Sequence, residues 1–400
     1  MTILIDPPAW PAHGRLWSHL ISDTSLDELH AFAAQHGIPR RGFERDHYDV
    51  PADAYPRLVR AGAVEVSSRE VVSRLAAAGL RRRKATAMAR RAVGNALLRP
   101  PRLEAGDVVA VVATSGVVPA DRLHVGVDRL RAWGLEVRLS PHVLSEHPRL
   151  GYLAALDEDR AADFTEAWLD PTVSAVWMAR GGYGVQRIVD LLDWRRLAEA
   201  DPKVLVGFSD ITGLHQAVAT RLGLVTVHGH VVTSLGASTE ASAEELRRLL
   251  MEPDTVVDLL AGQSTSPMVG GTATGILVGG NLAMLAADVG TATSRPAKDG
   301  IVVLEDVDEY PFRVDRMLTQ LIRAGWFAGV AGIVVGAFTD CGEPAELETV
   351  LDDRLRPFGV PAVRGFDLGH TSSSAAVPLG VEATLDADAG ALVLSTPALA

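Results

Sequence analysis

The feature that most constrains the fold is the rhythm of residues 107–232, where short apolar runs alternate with stretches of helical periodicity. GDVVAVVATSG reads as a buried strand with a glycine-containing turn, DRLHVGVDRLRAWG as a helix and LEVRLS as a second strand; AVWM, KVLVGF and TVHGHVV continue the series. Strands separated by helices pair in parallel, because a parallel neighbour requires a crossover long enough to return over one face of the sheet. Helices then cover both faces, which predicts a three-layer α/β domain over residues 104–250. Beyond about residue 255 the texture changes to short Val/Thr/Gly strands (TGILVGGN, GIVVLEDV, GIVVGAF and the terminal VEATLDADAGALVLSTPA). These predict a smaller, strand-rich mixed domain over 255–400. Residues 1–80 read as a separate small α/β unit, with a strand in MTILID, a proline-rich turn, a helix starting at Ser25, and a later strand and helix capped by Ser67 or Ser68. The basic, proline-containing stretch 81–103 reads as a linker.

Composition narrows the function classes. With 400 residues, 48% of them hydrophobic, the chain can build several domains with cores of their own. A net charge of −12 argues against nucleic acid or an anionic membrane as partner. The basic run RRRKATAMARR, residues 81–91, has no interleaved aromatic and reads as a solvated helix and linker. No apolar run is long enough to span a membrane, and MTILIDPPAWPAHGR has acid and prolines where a secretory signal would be basic and then apolar, so a cytoplasmic protein is expected. The lone Cys341 excludes an internal disulfide or a cysteine-based metal cluster; in FTDCGEP it has no neighbouring base and reads as a small buried thiol.

VLVGFSDITGLH, residues 204–215, ends a strand and begins a helix whose apolar residues at 211, 214, 218 and 222 share one face. Ser209 falls at the junction. There the first amides of the helix favour developing negative charge, which suits a nucleophilic serine with the Asp210 amide as an oxyanion donor. A serine in that place can equally be an N-cap, and the hydrolase elbow G-x-S-x-G is absent. ARGGYG, residues 179–184, ends another strand and so lies on the same carboxyl edge of a parallel sheet, where ligands bind. Its paired glycines allow close backbone approach to a ligand, but the run lacks the spacings of the common phosphate cradles. Glu305 follows the apolar run GIVVL and should emerge at a strand end, although beside Asp306, Asp308 and Glu309 it also reads as an ordinary solvated glutamate. His370 lies in the loop LGHTSSS, one of twelve histidines in the chain.

Together, GYLAALDEDRAADF, ARGGYG with a following LLDW, PKVLVGFSDITGLH, VHGH, LVGGNLAML, IVVLEDVDEYPFRVDRMLTQL and GFDLGH followed by PLG resemble the LD-carboxypeptidase family of serine peptidases over about residues 104–390. That family also includes the microcin C immunity hydrolases. The resemblance implies a Ser-Glu-His triad of Ser209, Glu305 and His370, with the serine on the α/β domain and the other two on the C-terminal domain. It implies an oxyanion hole formed by the Asp210 amide and an amide of ARGGYG, either Gly182 or Gly181. It further implies cleavage of an amide before a C-terminal D-amino acid, a cytoplasmic role in murein peptide recycling, no cofactor and a homodimer. Nucleotide-conjugate hydrolysis and a non-catalytic ligand-binding role are the alternatives. A carboxypeptidase must also hold the substrate's free carboxylate; Arg180 is the nearest cation in sequence, with Gly181 and Tyr183 beside it, and a structural salt bridge is the plainer role for that arginine.

The chain departs from the family where His-Gly-Pro is usual, reading His228-Gly229-His230. Residues two apart on a strand point the same way, so a metal pair is conceivable, but no third ligand is identifiable by spacing and hydrogen-bonded structural histidines are expected. Residues 1–80 lie outside the resemblance and look like a small bacterial domain of unknown function. His13, His19, Asp23, Asp46, His47 and Asp49 form a polar set there, able to bind something or to cap helices and satisfy turns.

Overall fold

The computed structural model describes residues 2–8, 10–12, 15–44, 46–78, 80 and 97–400. His13 and the basic run 81–91 lie outside them. The chain divides into two compact units, Met1–Thr86 and Ala87–Ala400.

The first unit is a six-stranded sheet whose spatial order is 43–44, 47–51, 15–22, 3–5 and 64–65, with 10–12 paired to 15–22 as a hairpin. Ser25 caps the helix Leu26–Gln35, its hydroxyl accepting from the Glu28 amide at 3.2 Å. Of the two serines proposed to cap the later helix, Ser67 does so, accepting from the Glu70 amide at 3.2 Å, whereas Ser68 donates to Asp6 at 2.6 Å. Two strands, Arg15–Ser22 and His47–Pro51, were not legible as strands in the sequence. Both mix polar and apolar residues: one face joins the core of Ile5, Leu20, Leu29, Val50 and Leu58, while Ile21 on the other face packs with Leu4, Val71 and Leu75.

The second unit holds two sheets. In the first, the order is 377–379, 226–228, 204–207, 173–178, 108–112 and 136–139. All pairs are parallel except the edge strand Val377–Leu379. Side chains alternate between two buried faces: Val108, Ala110 and Val112 pack with Phe164 and Trp168, while Val109 and Val111 pack with Leu123, Val127 and Leu130. This is the three-layer α/β arrangement expected.

The second sheet runs 266–269, 362–364, 332–339, 300–307, 272–281, 382–386 and 391–394. Its four inner strands are parallel and its outer pairs antiparallel. The helices Leu282–Ala287, Pro311–Arg323 and Pro344–Leu355 make the crossovers between the parallel strands. Strand texture alone concealed this repeated β-α-β order, since the Val- and Gly-rich strands dominate the composition.

The segment 97–103, read as the end of a linker, is built into this unit. The Leu98 amide donates to Gly223 O at 2.8 Å and Leu98 O accepts from Val225 at 2.9 Å; Leu103 is buried and its amide donates to Leu250 O at 2.9 Å. A chain starting near residue 96 should therefore fold without the first unit. One starting at Leu103 should melt several degrees lower in a thermal scan, because Leu97 and Leu98 are lost from the sheet and its core.

Candidate active site

Ser209 stands where the strand Val204–Gly207 gives way to a short turn, Ser209–Ile211, and then the helix Thr212–Leu222. Its φ is +65°, in the left-handed region that costs a non-glycine residue about 1–2 kcal/mol. Among the described residues only three other non-glycines have positive φ, Asp299, Asp308 and Asp340, and aspartate tolerates that region through local hydrogen bonding. Ser209 has no such excuse, so the surrounding structure imposes its conformation. Gly207, two residues earlier, makes the bend possible. A Cβ there would lie 2.9 Å from the Ile211 side chain and 3.0 Å from Met178. His215, on the next helix, holds the strand end: its Nε2 lies 2.8 Å from Gly207 O and its Nδ1 2.9 Å from Thr226 Oγ1. Burial lowers its pKa to about 4, so it is a neutral strut.

Glu305 and His370 meet Ser209 from the second sheet. Glu305, near the end of strand Gly300–Val307, is fully buried rather than solvated. Its Oε2 lies 2.8 Å from His370 Nδ1, and His370 Nε2 lies 3.0 Å from Ser209 Oγ. The His370 ring rests against Phe208, with centroids 4.8 Å apart. Gly369 explains the Gly-His pair: its φ is +124° and a Cβ would fall 2.6 Å from Glu305 Oε2. The neighbouring Asp306 points the other way, accepting from Asn281 Nδ2 and the Ala283 and Val307 amides, each at 2.9 Å. Burial, with the Glu305 charge adding to it, raises the Asp306 pKa to about 6.

The glycine loop lies against the serine. A Cβ on Gly181 would be 3.1 Å from Ser209 Cβ and 3.3 Å from Oγ, a tight approach that any larger residue would have to relieve by a shift of a few tenths of an ångström. Gly182 has φ +112°, and the Gly181 carbonyl accepts from the Gly116 amide at 3.1 Å. The Asp210 carboxylate is buried and accepts from the Val185 amide at 2.9 Å, tying the turn to the end of the loop. Three residues not singled out from the sequence complete the support. Arg160, buried, donates to Thr114 O and Gly184 O and pairs with Asp157, which Arg187 also grips through Nε at 3.0 Å and a terminal nitrogen at 2.7 Å. Its signal was present in GYLAALDEDRAADF, but a charged residue in an amphipathic helix is ordinarily solvated.

Arg180 is exposed, and its guanidinium donates to Val117 O; among the described residues it has no carboxylate partner, so the salt-bridge role is not the one found. Tyr183 is exposed beside Tyr152, the ring centroids 6.0 Å apart. His230 places its nitrogens 2.9 Å from Ser242 Oγ and 3.3 Å from Ser234 Oγ, and burial lowers its pKa to about 4. His228 differs from the expectation of a hydrogen-bonded histidine, since both its ring nitrogens are buried with no hydrogen-bond partner among the described residues. Burial drives its pKa well below the ordinary imidazole value. Cys341 is buried, and burial pushes its thiol up to about 11, so it is not a nucleophile near neutral pH.

A serine at a strained strand-to-helix turn, aligned with an imidazole and a buried carboxylate at the carboxyl edge of a parallel sheet, defines a serine-hydrolase type of site. The comparisons narrow the class. Residues 109–229 match the LD-carboxypeptidase N-terminal domain, 274–385 the LD-carboxypeptidase C-terminal domain, and 3–78 a family described only as a protein of unknown function, DUF4031. A Streptomyces coelicolor protein is 52% identical over 305 residues, covering 76% of this chain and 98% of its own. The murein tetrapeptide carboxypeptidase of Pseudomonas aeruginosa is 35% identical over 288 residues, 70% of this chain and 92% of its own. Among solved structures, the MccF-like protein of Bacillus anthracis superposes with a TM-score of 0.67 at 25% identity, over 74% of this chain and 99% of its own. The chain belongs to the LD-carboxypeptidase family of serine peptidases and is an enzyme of the serine carboxypeptidase type.

Gly369→Ala tests the packing of the site. The added methyl must displace Glu305 or the His370 backbone, so amide hydrolysis should fall at least about 100-fold while the melting temperature changes by only a few degrees. Wild-type kinetics in that variant would show that Glu305 and His370 need not touch.

Proposed function

We propose that the protein is an LD-carboxypeptidase that releases the terminal D-alanine of murein tetrapeptides through Ser209, His370 and Glu305. The observation that carries this reading is the continuous line from Ser209 Oγ to His370 Nε2 at 3.0 Å and from His370 Nδ1 to Glu305 Oε2 at 2.8 Å, anchored on a carboxylate that is fully buried. In the proposed cycle His370 Nε2 takes the hydroxyl proton as Ser209 Oγ attacks the scissile carbonyl, and Glu305 stabilises the resulting imidazolium. The same Nε2 returns the proton to the leaving amine, and water, activated by His370, then hydrolyses the acyl-serine.

The oxyanion is received by the Asp210 amide and the Gly182 amide. In a trans peptide the C=O and N–H point opposite ways. The Gly181 carbonyl is held by Gly116, so the Gly182 N–H is turned away from that bond and is the better choice over Gly181. Arg180, which has no carboxylate partner among the described residues, holds the substrate's terminal carboxylate, with Tyr183 beside it. The lone cysteine and the absence among the described residues of a helix long and apolar enough to cross a membrane are consistent with a cytoplasmic recycling role. A homodimer, without cofactor, is the working form that the family resemblance supports.

A second reading comes from MccF, a structural neighbour captured in complex with aspartyl sulfamoyl adenosine. We favour the peptide because residues 231–270 carry no aromatic side chain on which a base would stack. Mass spectrometry of products from the murein tetrapeptide and from aspartyl sulfamoyl adenosine separates the two: release of D-alanine is expected, and cleavage of the adenosine conjugate alone would overturn the assignment.

Ser209→Ala should fold normally and lose turnover by on the order of 10⁴-fold or more. Near wild-type rates in that variant would remove the serine from the chemistry. Arg180→Ala should raise KM for substrates with a free terminal carboxylate by about tenfold or more, with a smaller change in kcat, and should have little effect on the same peptide amidated at its C-terminus.

A further inference from the structure

The first unit carries a second cluster of reactive side chains, and the sheet itself creates it. In the antiparallel pairing of 15–22 with 47–51, His19 lies directly opposite Asp49. His47 is two residues from Asp49 on the same strand, so all three project from one face. None of them is fully buried, and one ligand atom from each falls within 4.8 Å of the others. His47 Nε2 is 3.4 Å and His19 Nε2 3.9 Å from the same oxygen, Asp49 Oδ1. Zinc bound tetrahedrally at about 2.0–2.1 Å places its ligand atoms about 3.4 Å apart, so sub-ångström to ångström side-chain adjustments close the site.

The other nitrogen of each histidine is already committed. His19 Nδ1 lies 3.0 Å from Asp6 Oδ2 and His47 Nδ1 lies 2.6 Å from Asp46 Oδ1, and both carboxylates are buried. Asp6 is itself fixed, accepting from the His19 amide at 2.5 Å and from Ser68 Oγ at 2.6 Å. A carboxylate behind each imidazole fixes the tautomer with Nε2 as the lone-pair donor and raises its basicity, which is the outer-shell arrangement of metal-ligating histidines. Capping and turn satisfaction, the plainer role for this polar set, accounts for Asp23, which accepts from the Thr2 amide and pairs with Arg74. It does not account for two Nε2 atoms converging on one carboxylate oxygen.

We propose that His19, His47 and Asp49 bind one divalent transition-metal ion of the zinc class, with Asp6 and Asp46 orienting the two histidines. Two imidazoles and one carboxylate suit zinc or a neighbouring first-row ion rather than calcium or magnesium, and three protein ligands leave a position for water or a ligand oxygen. This site lies wholly within residues 1–86 and does not depend on the reaction assigned to Ser209. A ligating imidazole must be neutral, so binding by His19 and His47 weakens as pH falls.

The test is metal binding by the full-length chain, treated with chelator and then titrated with Zn²⁺ by calorimetry, with bound metal counted by elemental analysis and Co²⁺ absorption reporting coordination. One equivalent per chain is expected. His19→Ala/His47→Ala should abolish it, Asp49→Asn should weaken it at least about tenfold, and Asp46→Asn about 10- to 100-fold through the outer shell. If the double variant melts early, the two aspartate variants decide the question, since each changes only a carboxylate to an amide. His370→Ala should bind as wild type, which separates this site from the histidines near Ser209. Failure of wild type to take up stoichiometric Zn²⁺, full binding by the double variant, loss of binding in His370→Ala, or equal affinity for Ca²⁺ or Mg²⁺ would each overturn the proposal.

Discussion

The hydrogen-bonded contact of His370 with both Ser209 and Glu305 is the constraint around which the larger unit is arranged. Ser209 rides on one parallel sheet and Glu305 on the other, so neither sheet contains the site. The segment bearing His370 leaves the second sheet at Ala362–Arg364 and enters the first at Val377–Leu379, with His370 between. It is therefore anchored at both ends, one in each sheet. The loop is braced internally as well: Ser374 Oγ accepts from the Gly369 amide at 2.9 Å and Ala375 N donates to Asp367 O at 2.6 Å. The relative placement of the two sheets is thus transmitted directly to the imidazole.

Around that line the protein uses buried polar groups as fixed struts. His215 holds the strand before the turn, Asp210 holds the loop after the glycines, and Arg160 gathers the Thr114 and Gly184 carbonyls. Each is buried and held by the hydrogen bonds named above, although Arg160 Nε and Asp210 Oδ1 have no hydrogen-bond partner among the described residues. Removing Asp157 leaves the buried Arg160 guanidinium without its counter-charge, and such losses commonly cost about 3–5 kcal/mol.

The legible parts of this architecture were those with a local signature. Alternation of strand and helix revealed the α/β core because its strands are buried on both faces and read as continuous apolar runs. Ser209 was visible as a junction, but neither its positive φ nor the reason for Gly207 can be read without knowing that Met178 and Ile211 crowd that glycine. Glu305 looked solvated because its neighbours in sequence are acidic; alternation along the strand sends Asp306 to the opposite side. Arg160 and the pairing of His19 with Asp49 were illegible for the same reason. Both depend on contacts between residues distant in sequence, so the local pattern shows the residues but not what they meet.

The left-handed backbone of Ser209 has an evolutionary consequence. A glycine there would relax the turn and yield a sturdier fold, while abolishing the hydroxyl. Under the nucleophile role proposed for Ser209, selection for robustness and selection for chemistry pull in opposite directions at this position. A lineage that no longer needed the reaction would be expected to drift toward glycine, asparagine or aspartate at residue 209 while leaving the rest of the architecture in place.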